Sequence, residues 1–234
     1  EIQGREMGKF EFDAENAVKN IDGLVSWWRM EGNADDEMGK NDGTLNNEVD
    51  CNAEGKYGKA CKFDGDGDYI SVPHHTSFVM TEGISIVTWA KTPLTNNWSG
   101  IVDKFGEAYP FENFGYKLGT NNKDTGFRFD IGNGTPTTGY TSRATLVNIE
   151  DNSWHFVAST YDGSTLKIYD NGEEHTTLGD QIGFLTSYPA SLWIGTSHYR
   201  PDQRSFNGTI DEIMIFNKAL NEDEIKAIYE LDLS

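Results

Sequence analysis

The chain contains 234 residues and carries a formal net charge of −19, with 38 acidic and 19 basic side chains. A surface this acidic repels nucleic-acid phosphates and anionic lipids, and no apolar run is long enough to span a bilayer, so nucleic acid and membrane insertion are both excluded as expected partners. Aromatic residues make up 12% of the chain, and their large buried areas are sufficient for a folded core, which excludes intrinsic disorder.

Residues 1–21 are charged and lack a clear turn, so we expect an N-terminal tail or linker there. The folded domain is then expected at residues 22–234, a length that suits one all-β sandwich. Because the first residue is Glu1 and not Met, we expect a processed protein or an excised segment.

From Ile21 onward, short runs of β-branched, aromatic and alternating apolar residues are separated by glycine-rich turns, which predicts a series of antiparallel strands. The Asn171-Gly172 dipeptide supplies the two positive-φ residues of a type I′ hairpin turn. The predicted strands are Leu24–Met30, Lys62–Asp64, Tyr69–Val72, Ile84–Ala90, Gly115–Leu118, Gly126–Ile131, Trp154–Tyr161, Leu166–Asp170, Ser191–Gly195 and Thr209–Phe216.

Two cysteines, Cys51 and Cys61, bracket a stretch that contains Gly55 and Gly58. A turn at these glycines would bring the flanks together, so we predict a disulfide, with two buried free thiols as the alternative. A disulfide indicates an oxidising compartment, and we therefore expect a secreted or cell-surface protein.

The end of the chain predicts one short helix. Asn221 is a good N-cap, and Glu224 stands at the capping-box spacing. Ile225, Ile228 and Tyr229 follow as an apolar stripe. Many strands and one terminal helix predict an all-β fold, an antiparallel β-sandwich with a short C-terminal helix.

Four sequence blocks add a family resemblance. They are residues 23–31 with 36–45, residues 55–65, residues 152–158, and residues 208–220 with Glu224-Ile225. In this order and spacing the chain resembles the laminin-G-like domains of the concanavalin A-like lectin/glucanase superfamily. The resemblance implies a jelly-roll sandwich of two curved sheets and a binding role in a secreted or surface protein.

The same resemblance raises an enzymatic alternative, because Glu11-Phe-Asp-Ala-Glu15 fits the Glu-x-Asp-x-Glu pattern of the superfamily's retaining glucanases. Those enzymes carry the pattern on one strand in mid-chain. Here it lies in the polar segment before the first block, where we expect no cleft. We therefore predict no catalytic residues, with a glycan hydrolase or lyase as the less favoured alternative.

The resemblance also implies a structural calcium ion at the junction of the first and last blocks. The candidate ligands are Glu31, Asp36, Asn41 and Asp211, which supply the oxygen atoms that calcium prefers. The alternative is that Asp36 caps a turn and that Asp211 is hydrogen-bonded locally.

Loop aromatics nominate a surface for sugar binding, because sugar rings stack on aromatic faces and polar neighbours orient them. We predict that the chain is an extracellular carbohydrate-binding module for a glycan or polysaccharide. The alternative is an adhesion or structural module that binds an extracellular protein. The predicted ligand-binding residues are Trp98, Tyr109, His198, Tyr199 and Arg200, and Phe111 and Tyr140 have the same character.

Overall fold

The computed structural model describes residues 13–93, 98–108, 112–121, 126–133, 140–144, 149, 151–178, 189–198, 201 and 203–234. Within these ranges two antiparallel sheets pack face to face, and two helices lie on one of them. The predicted all-β jelly-roll sandwich with a short C-terminal helix is therefore confirmed. Neither helix in this part of the chain is long and apolar enough to cross a membrane.

Helix α1 (Ala14–Lys19) precedes the strands and helix α2 (Glu222–Tyr229) follows them. The strands of the N-terminal part are β1 (Leu24–Trp28), β2 (Thr44–Asn46), β3 (Asp50–Glu54), β4 (Lys59–Asp64), β5 (Tyr69–Val72) and β6 (Ile84–Lys91). Those of the middle part are β7 (Gly100–Asp103), β8 (Gly106–Ala108), β9 (Glu112–Thr120), β10 (Phe127–Asn133) and β11 (Tyr140–Ala144). Those of the C-terminal part are β12 (His155–Tyr161), β13 (Leu166–Asp170), β14 (Glu173–Leu178), β15 (Leu192–Ile194) and β16 (Asn207–Phe216).

The predicted strands all appear, with ends that differ by a few residues. The sequence pattern misses β2, β3, β7, β8, β11 and β14. Most of these are short or stand at a sheet edge, where little apolar surface is buried and the alternation of side chains is weak.

The strands form two sheets with antiparallel pairing. Sheet A has the order β14-β13-β12-β6-β16-β4-β3, and β1 also pairs with β16. Sheet B has the order β11-β10-β9-β7-β15-β5-β2, and β8 also pairs with β9. Strands far apart in sequence are thus neighbours, and the main core lies between the two sheets.

Large apolar side chains from both sheets fill this core. Phe63, Ile86 and Ile213 of sheet A, with Phe129 and Ile194 of sheet B, are all 0% exposed. Their neighbours along each strand point to the opposite faces, since side chains alternate across a sheet.

The other face of sheet A is also buried, under both helices and the C-terminal segment. Val18 of α1 and Ile225 of α2 join Trp27, Phe156 and Phe216 of the sheet in a second apolar cluster. Sheet A is therefore covered on both sides, whereas neither of the two described helices packs on the outer face of sheet B.

Helix α1 lies within the segment predicted to be a tail. Asp13 caps it by accepting a hydrogen bond from the Asn16 N–H (2.9 Å), Val18 is fully buried, and Glu15 forms an ion pair with Arg29. Six residues with one buried side chain are too few for a periodic apolar pattern, so the sequence gives no sign of this helix. Residues 1–12 of the predicted tail lie outside the described residues.

Two local sequence predictions, the capping box of α2 and the hairpin turn at Asn171-Gly172, are confirmed. Asn221 and Glu224 form both hydrogen bonds of the predicted capping box, and Ile225 and Ile228 are buried. Asn171 and Gly172 both adopt positive φ, at 51° and 81°, as the hairpin turn requires.

Cys51 and Cys61 form the predicted disulfide, which joins β3 to β4 across the turn at residues 55–58. Both cysteines are at most 2% exposed. The bond therefore closes the hairpin from within the core.

We expect the double substitution C51A/C61A to lower the free energy of unfolding by about 2–3 kcal/mol, since the crosslink limits the unfolded chain. Urea denaturation with and without dithiothreitol measures this. Reductant should shift the midpoint of the wild type and leave that of the double variant unchanged. Equal midpoints for the two proteins under oxidising conditions would contradict the prediction.

Candidate functional site

A row of side chains crosses the outer face of sheet B in register. Ser71, Trp193, Asp103, Lys117 and Asp130 are successive partners on β5, β15, β7, β9 and β10. Directly paired residues point to the same face of a sheet. The residues beside them in these strands face the core, so this outer row lies on the face of sheet B that points away from the core. Asp103, Lys117 and Asp130 are nevertheless buried there, at 1%, 6% and 7% exposed.

One end of the outer row is aromatic. The rings of Trp193 and His198 are stacked, with centroids 3.9 Å apart and an interplanar angle of 15°. Tyr69 lies 5.0 Å from Trp193 in a tilted arrangement. All three residues are half-buried, so their rings are partly accessible.

His198 is held in place by the strand ends around it. Its Nε2–H donates to the carbonyl oxygen of Ser191 (3.0 Å), and its backbone N–H donates to Asp103 Oδ2 (3.3 Å). Burial lowers the pKa of His198, although the Asp103 charge opposes this. The imidazole is therefore neutral near pH 7 and forms a flat, uncharged platform with Trp193.

Lys117 is the fourth residue of the row and connects it to two loops. Its Nζ donates to the carbonyl oxygen of Trp98 (2.8 Å) and to Ser197 Oγ (3.0 Å), and it lies 3.8 Å from Asp103 Oδ2. The residue is 6% exposed, and burial lowers its pKa while Asp103 and Asp130 oppose that shift. Since its donors are used internally, Lys117 positions the loops that carry Trp98 and His198.

Trp98, whose carbonyl oxygen accepts from Lys117, is half-buried. Its Nε1 donates to Asn121 Oδ1 (3.2 Å), and the guanidinium carbons of Arg204 and Arg128 lie 5.0 Å and 5.9 Å from its ring centroid. Arg128 Nε also donates to Asp130 Oδ1 (2.6 Å). Trp98 has φ of 57°, a left-handed conformation that its surroundings must stabilise.

The structure brings together two of the predicted ligand-binding residues, Trp98 and His198, because Lys117 contacts both loops. It adds Tyr69 and Trp193, which the sequence prediction missed. Their signal was the alternation in β5 and β15, where an aromatic residue alternates with buried aliphatic ones. Tyr109, Phe111, Tyr199, Arg200 and the side chain of Tyr140 lie outside the described residues and stay predictions.

The predicted calcium ligand Asp36 binds backbone N–H groups with both oxygens. Oδ1 accepts from Trp27 (2.9 Å) and Met38 (3.1 Å), and Oδ2 accepts from Asn41 (3.0 Å) and Lys40 (3.3 Å). Donors that surround a carboxylate occupy the positions a cation would take. The geometry of Asp36 therefore fits the alternative of a turn cap.

The other candidates differ from Asp36. Asp211 Oδ2 accepts from the N–H groups of Lys56 (2.8 Å) and Tyr57 (3.1 Å), whereas its buried Oδ1 has no hydrogen-bond partner. Glu31 Oε1 accepts from the N–H of Lys59 (3.1 Å), so it meets the same turn as Asp211.

Asn41 belongs to the loop of Asp36. Its Nδ2 donates to Ser26 Oγ (2.7 Å), and its Oδ1 is buried without a partner. Across the described ranges, no three His, Cys, Asp or Glu side chains form a group that could hold a metal ion. Calcium stays a prediction that rests mainly on Asp211 and Glu31.

A neighbouring carboxylate, Glu212, was not predicted to have a role. Its Oε2 accepts from the indole N–H of Trp27 (2.5 Å), and Arg29 Nε lies 3.6 Å from its Oε1. Burial raises the pKa of Glu212 to about 8, and the adjacent Asp211 charge adds to this. Burial likewise raises the pKa of Asp211 to about 7.

Two residues of the glucanase-like acidic pattern, Asp13 and Glu15, lie at the start of a helix and not on a strand. Asp13 caps α1, and Glu15 stands in its first turn and pairs with Arg29. Glu11 lies outside the described residues. Alternate residues share a face on a strand but not in a helix, so Asp13 and Glu15 lack the arrangement that the enzymes use.

Comparison with known families supports the sequence resemblance. A laminin G family model, described as concanavalin A-like lectin/glucanases superfamily, matches residues 64–226, which is more than half of the chain. None of the curated proteins matches the sequence significantly.

Solved structures resemble the chain over most of its length. Domain 4 of AbnA, an extracellular arabinanase from Geobacillus stearothermophilus solved in complex with arabinotriose, has a TM-score of 0.72 and 21% identity, over 88% of this chain and 98% of that one. The binding domain of Paraclostridial Mosquitocidal Protein 1 has a TM-score of 0.70 and 17% identity, over 89% of this chain.

The binding domain of Botulinum Neurotoxin DC, in complex with SialylT, has a TM-score of 0.69 and 17% identity, again over 89% of this chain. The matched region is about half of each toxin domain, at 52% for the mosquitocidal protein and 51% for the neurotoxin. At these identities the likeness shows the fold.

We expect the stability of this protein to fall as the pH rises, because Asp211 and Glu212 are easier to protonate in the folded state than in the unfolded chain. Their contribution is complete below the unfolded pKa values, roughly 4, and is lost as the pH rises through about 7 and about 8. Urea denaturation in EDTA, between about pH 6 and pH 9, measures the slope.

Glu212→Gln should flatten this slope, because a neutral side chain then stands at the buried position. Glu54→Gln, at an exposed residue at the end of β3, is the matched control and should keep it. Stability that rises over this range in the wild type would contradict the prediction.

Proposed function

The chain belongs to the concanavalin A-like lectin/glucanases superfamily, and from that premise we propose that it is a non-catalytic carbohydrate-binding module. The observation that carries this proposal is the stacked pair of Trp193 and His198 on the outer face of sheet B. The rings are half-buried and uncharged, and polar side chains of the outer row stand beside them.

Sugars combine an apolar face of C–H groups with hydroxyl groups at their edges. An aromatic platform binds the first, and fixed hydrogen-bonding groups orient the second. The outer face of sheet A is closed by α1 and α2, so we place the ligand at the half-buried rings of Tyr69, Trp193 and His198 on sheet B.

Two similar structures support the glycan class, because one was solved with arabinotriose and another with SialylT. The disulfide supports a secreted or cell-surface location, since such bonds persist in oxidising compartments. The helical setting of Asp13 and Glu15 supports a module without catalysis.

Stacking of one sugar on an aromatic face contributes only about 0.5–1.5 kcal/mol beyond area burial. We therefore expect dissociation constants near ~10⁻⁴ M for a single domain, with further strength from multivalency.

Trp193→Ala should weaken glycan binding roughly threefold to tenfold, which corresponds to the stacking energy that is lost. A glycan array identifies the ligand, and calorimetry then compares the variants. Trp154→Ala is the matched control, because Trp154 is a half-buried tryptophan that packs on the helix-covered side of sheet A. Circular dichroism checks that each variant is folded.

Unchanged affinity in Trp193→Ala and in His198→Ala would show that the ligand binds elsewhere.

Incubation with laminarin, agarose, alginate and sialylated oligosaccharides should release no shorter products. Release of products that depends on Glu15 would instead establish the hydrolase or lyase alternative.

We also propose a structural calcium ion at Asp211, with Glu31 as a second ligand. The unpartnered Oδ1 of Asp211 supports this site, because a buried carboxylate oxygen without a donor is costly unless something compensates it. The ion would neutralise the charge that Asp211 and Glu31 share at the turn of residues 55–59.

Chelation should lower the melting temperature by several degrees if the site is filled, since saturation at 100 times the dissociation constant stabilises by about 2.7 kcal/mol. Asp211→Asn keeps an acceptor for the Lys56 and Tyr57 N–H groups but should remove the response to EDTA. Calcium, but not magnesium, should restore the chelated wild type. Identical melting curves with and without EDTA would contradict the proposal.

A further inference from the structure

Four basic side chains lie on or beside sheet B in a protein whose net charge is −19. Lys117 is surrounded by Arg128, Arg204, Asp103 and Asp130, all of which change its pKa through their charges. Lys104 acts in the same way on His198, together with Lys117. We call Lys104, Lys117, Arg128 and Arg204 the basic cluster.

The two lysines of the basic cluster are buried and hydrogen-bonded within the protein. Lys117 holds the Trp98 and Ser197 loops, and Lys104 Nζ donates to the carbonyl oxygen of Ala190 (2.7 Å). The two lysines are 6% and 3% exposed, so they stand below the surface. Their charges contribute to the local potential without direct access to a ligand.

The two arginines lie nearer to the surface. Both guanidinium groups flank the half-buried ring of Trp98, with their carbons at 5.0 Å and 5.9 Å from its centroid. The side chain of Arg128 is 24% exposed, and Arg204 is half-buried. Two guanidinium groups are thus held beside one indole, partly accessible and close enough to its ring for both to meet a ligand that packs there.

Arginine also suits this task through its shape. Its planar group carries five N–H donors and matches carboxylate and sulfate oxygens in pairs, so one arginine can serve an internal partner and a ligand together. Arg128 Nε donates to Asp130 Oδ1, and this hydrogen bond orients the plane of the guanidinium group. The pair is therefore oriented as well as charged.

The arginine site is connected to the aromatic platform. Lys117 Nζ contacts the carbonyl oxygen of Trp98 on one side and Ser197, the neighbour of His198, on the other. A glycan that packs on Trp193 and His198 would thus extend toward Arg128 and Arg204.

We propose that the ligand of this face is an acidic glycan, whose carboxylate or sulfate group binds Arg128 and Arg204 beside Trp98. The proposal rests on the proposed carbohydrate-binding function and names the class of sugar. The negative charge of the whole molecule repels such a glycan at long range, so the arginine pair selects it at contact, within the screening length of roughly 10 Å at 0.1 M salt.

Matched glycan pairs test this on the wild-type protein by calorimetry. Oligogalacturonate is compared with its methyl-esterified form, and a sulfated galactan with its desulfated form. At least one acidic member should bind about tenfold or more tightly than its neutral partner, because charged hydrogen bonds are stronger than neutral ones. The pair that shows the difference tells whether carboxylate or sulfate is the group recognised.

Substitutions then locate the charge. Arg204→Gln and Arg128→Gln should each weaken binding of the acidic glycan by about tenfold and leave the neutral partner unaffected. Arg204→Lys should recover part of the lost affinity, since lysine keeps the positive charge but lacks the paired N–H donors of the guanidinium group. Lys91→Gln is the matched control, because the Nζ of Lys91 lies 4.9 Å from the Trp154 ring centroid, on the helix-covered side of sheet A.

Equal binding of acidic and neutral members in both pairs, with loss of binding in Trp193→Ala, would overturn the acidic-glycan proposal and leave the carbohydrate-binding function in place. Absence of binding to every glycan of the pairs and of the array would overturn both. Because the comparison of matched glycans uses the wild type, the test does not depend on how the arginine variants fold.

Discussion

Strand β16 pairs with three strands of sheet A, and a shift in its register between Asp211 and Met214 lets it do so. The rest of the sandwich depends on this shift. Strand β16 pairs with β6 along one edge, and along the other with β4 through residues 207–210 and with β1 through residues 213–216. Between these ladders the register shifts, and Glu212 adopts a φ of 50°. Asp211 and Glu212 stand at this point and bind the turn at residues 55–58 and the indole of Trp27. Two buried acidic side chains therefore hold in place the hairpin and the first strand that meet at the centre of the sheet.

The two helices that cover sheet A exclude its outer face as a binding surface. Its outer face is covered by α1, α2 and the C-terminal segment, which is fastened by the Tyr57 hydroxyl to the Leu231 carbonyl oxygen (2.7 Å). In the described part of the chain no helix packs on sheet B, and polar and aromatic residues alternate there with the core positions of β5, β10 and β15. The buried lysine at its centre is costly to desolvate, and its three polar contacts offset that cost while they position two loops.

The superfamily includes both lectins and glucanases, so the fold by itself does not separate binding from catalysis. The proposal of binding rests on the setting of particular side chains. Asp13 and Glu15 begin a helix, whereas Trp193 and His198 form a neutral stacked surface beside a basic cluster. That surface suits recognition of a sugar, and the arginines beside it in an acidic protein suit recognition of a charged one.

Local sequence patterns determined the strands that bury an apolar face, the Asn171-Gly172 turn, the capping box of α2 and the disulfide, because each depends on residues close together in the chain. Helix α1 escaped prediction because one buried valine gives no periodicity. For Asp36 the sequence left a choice between metal ligand and turn cap, and tertiary structure surrounded it with backbone N–H groups. Tertiary structure also assembled the candidate site, since the contact of Lys117 with Trp98 and Ser197 arises from pairing of distant strands that no local pattern encodes.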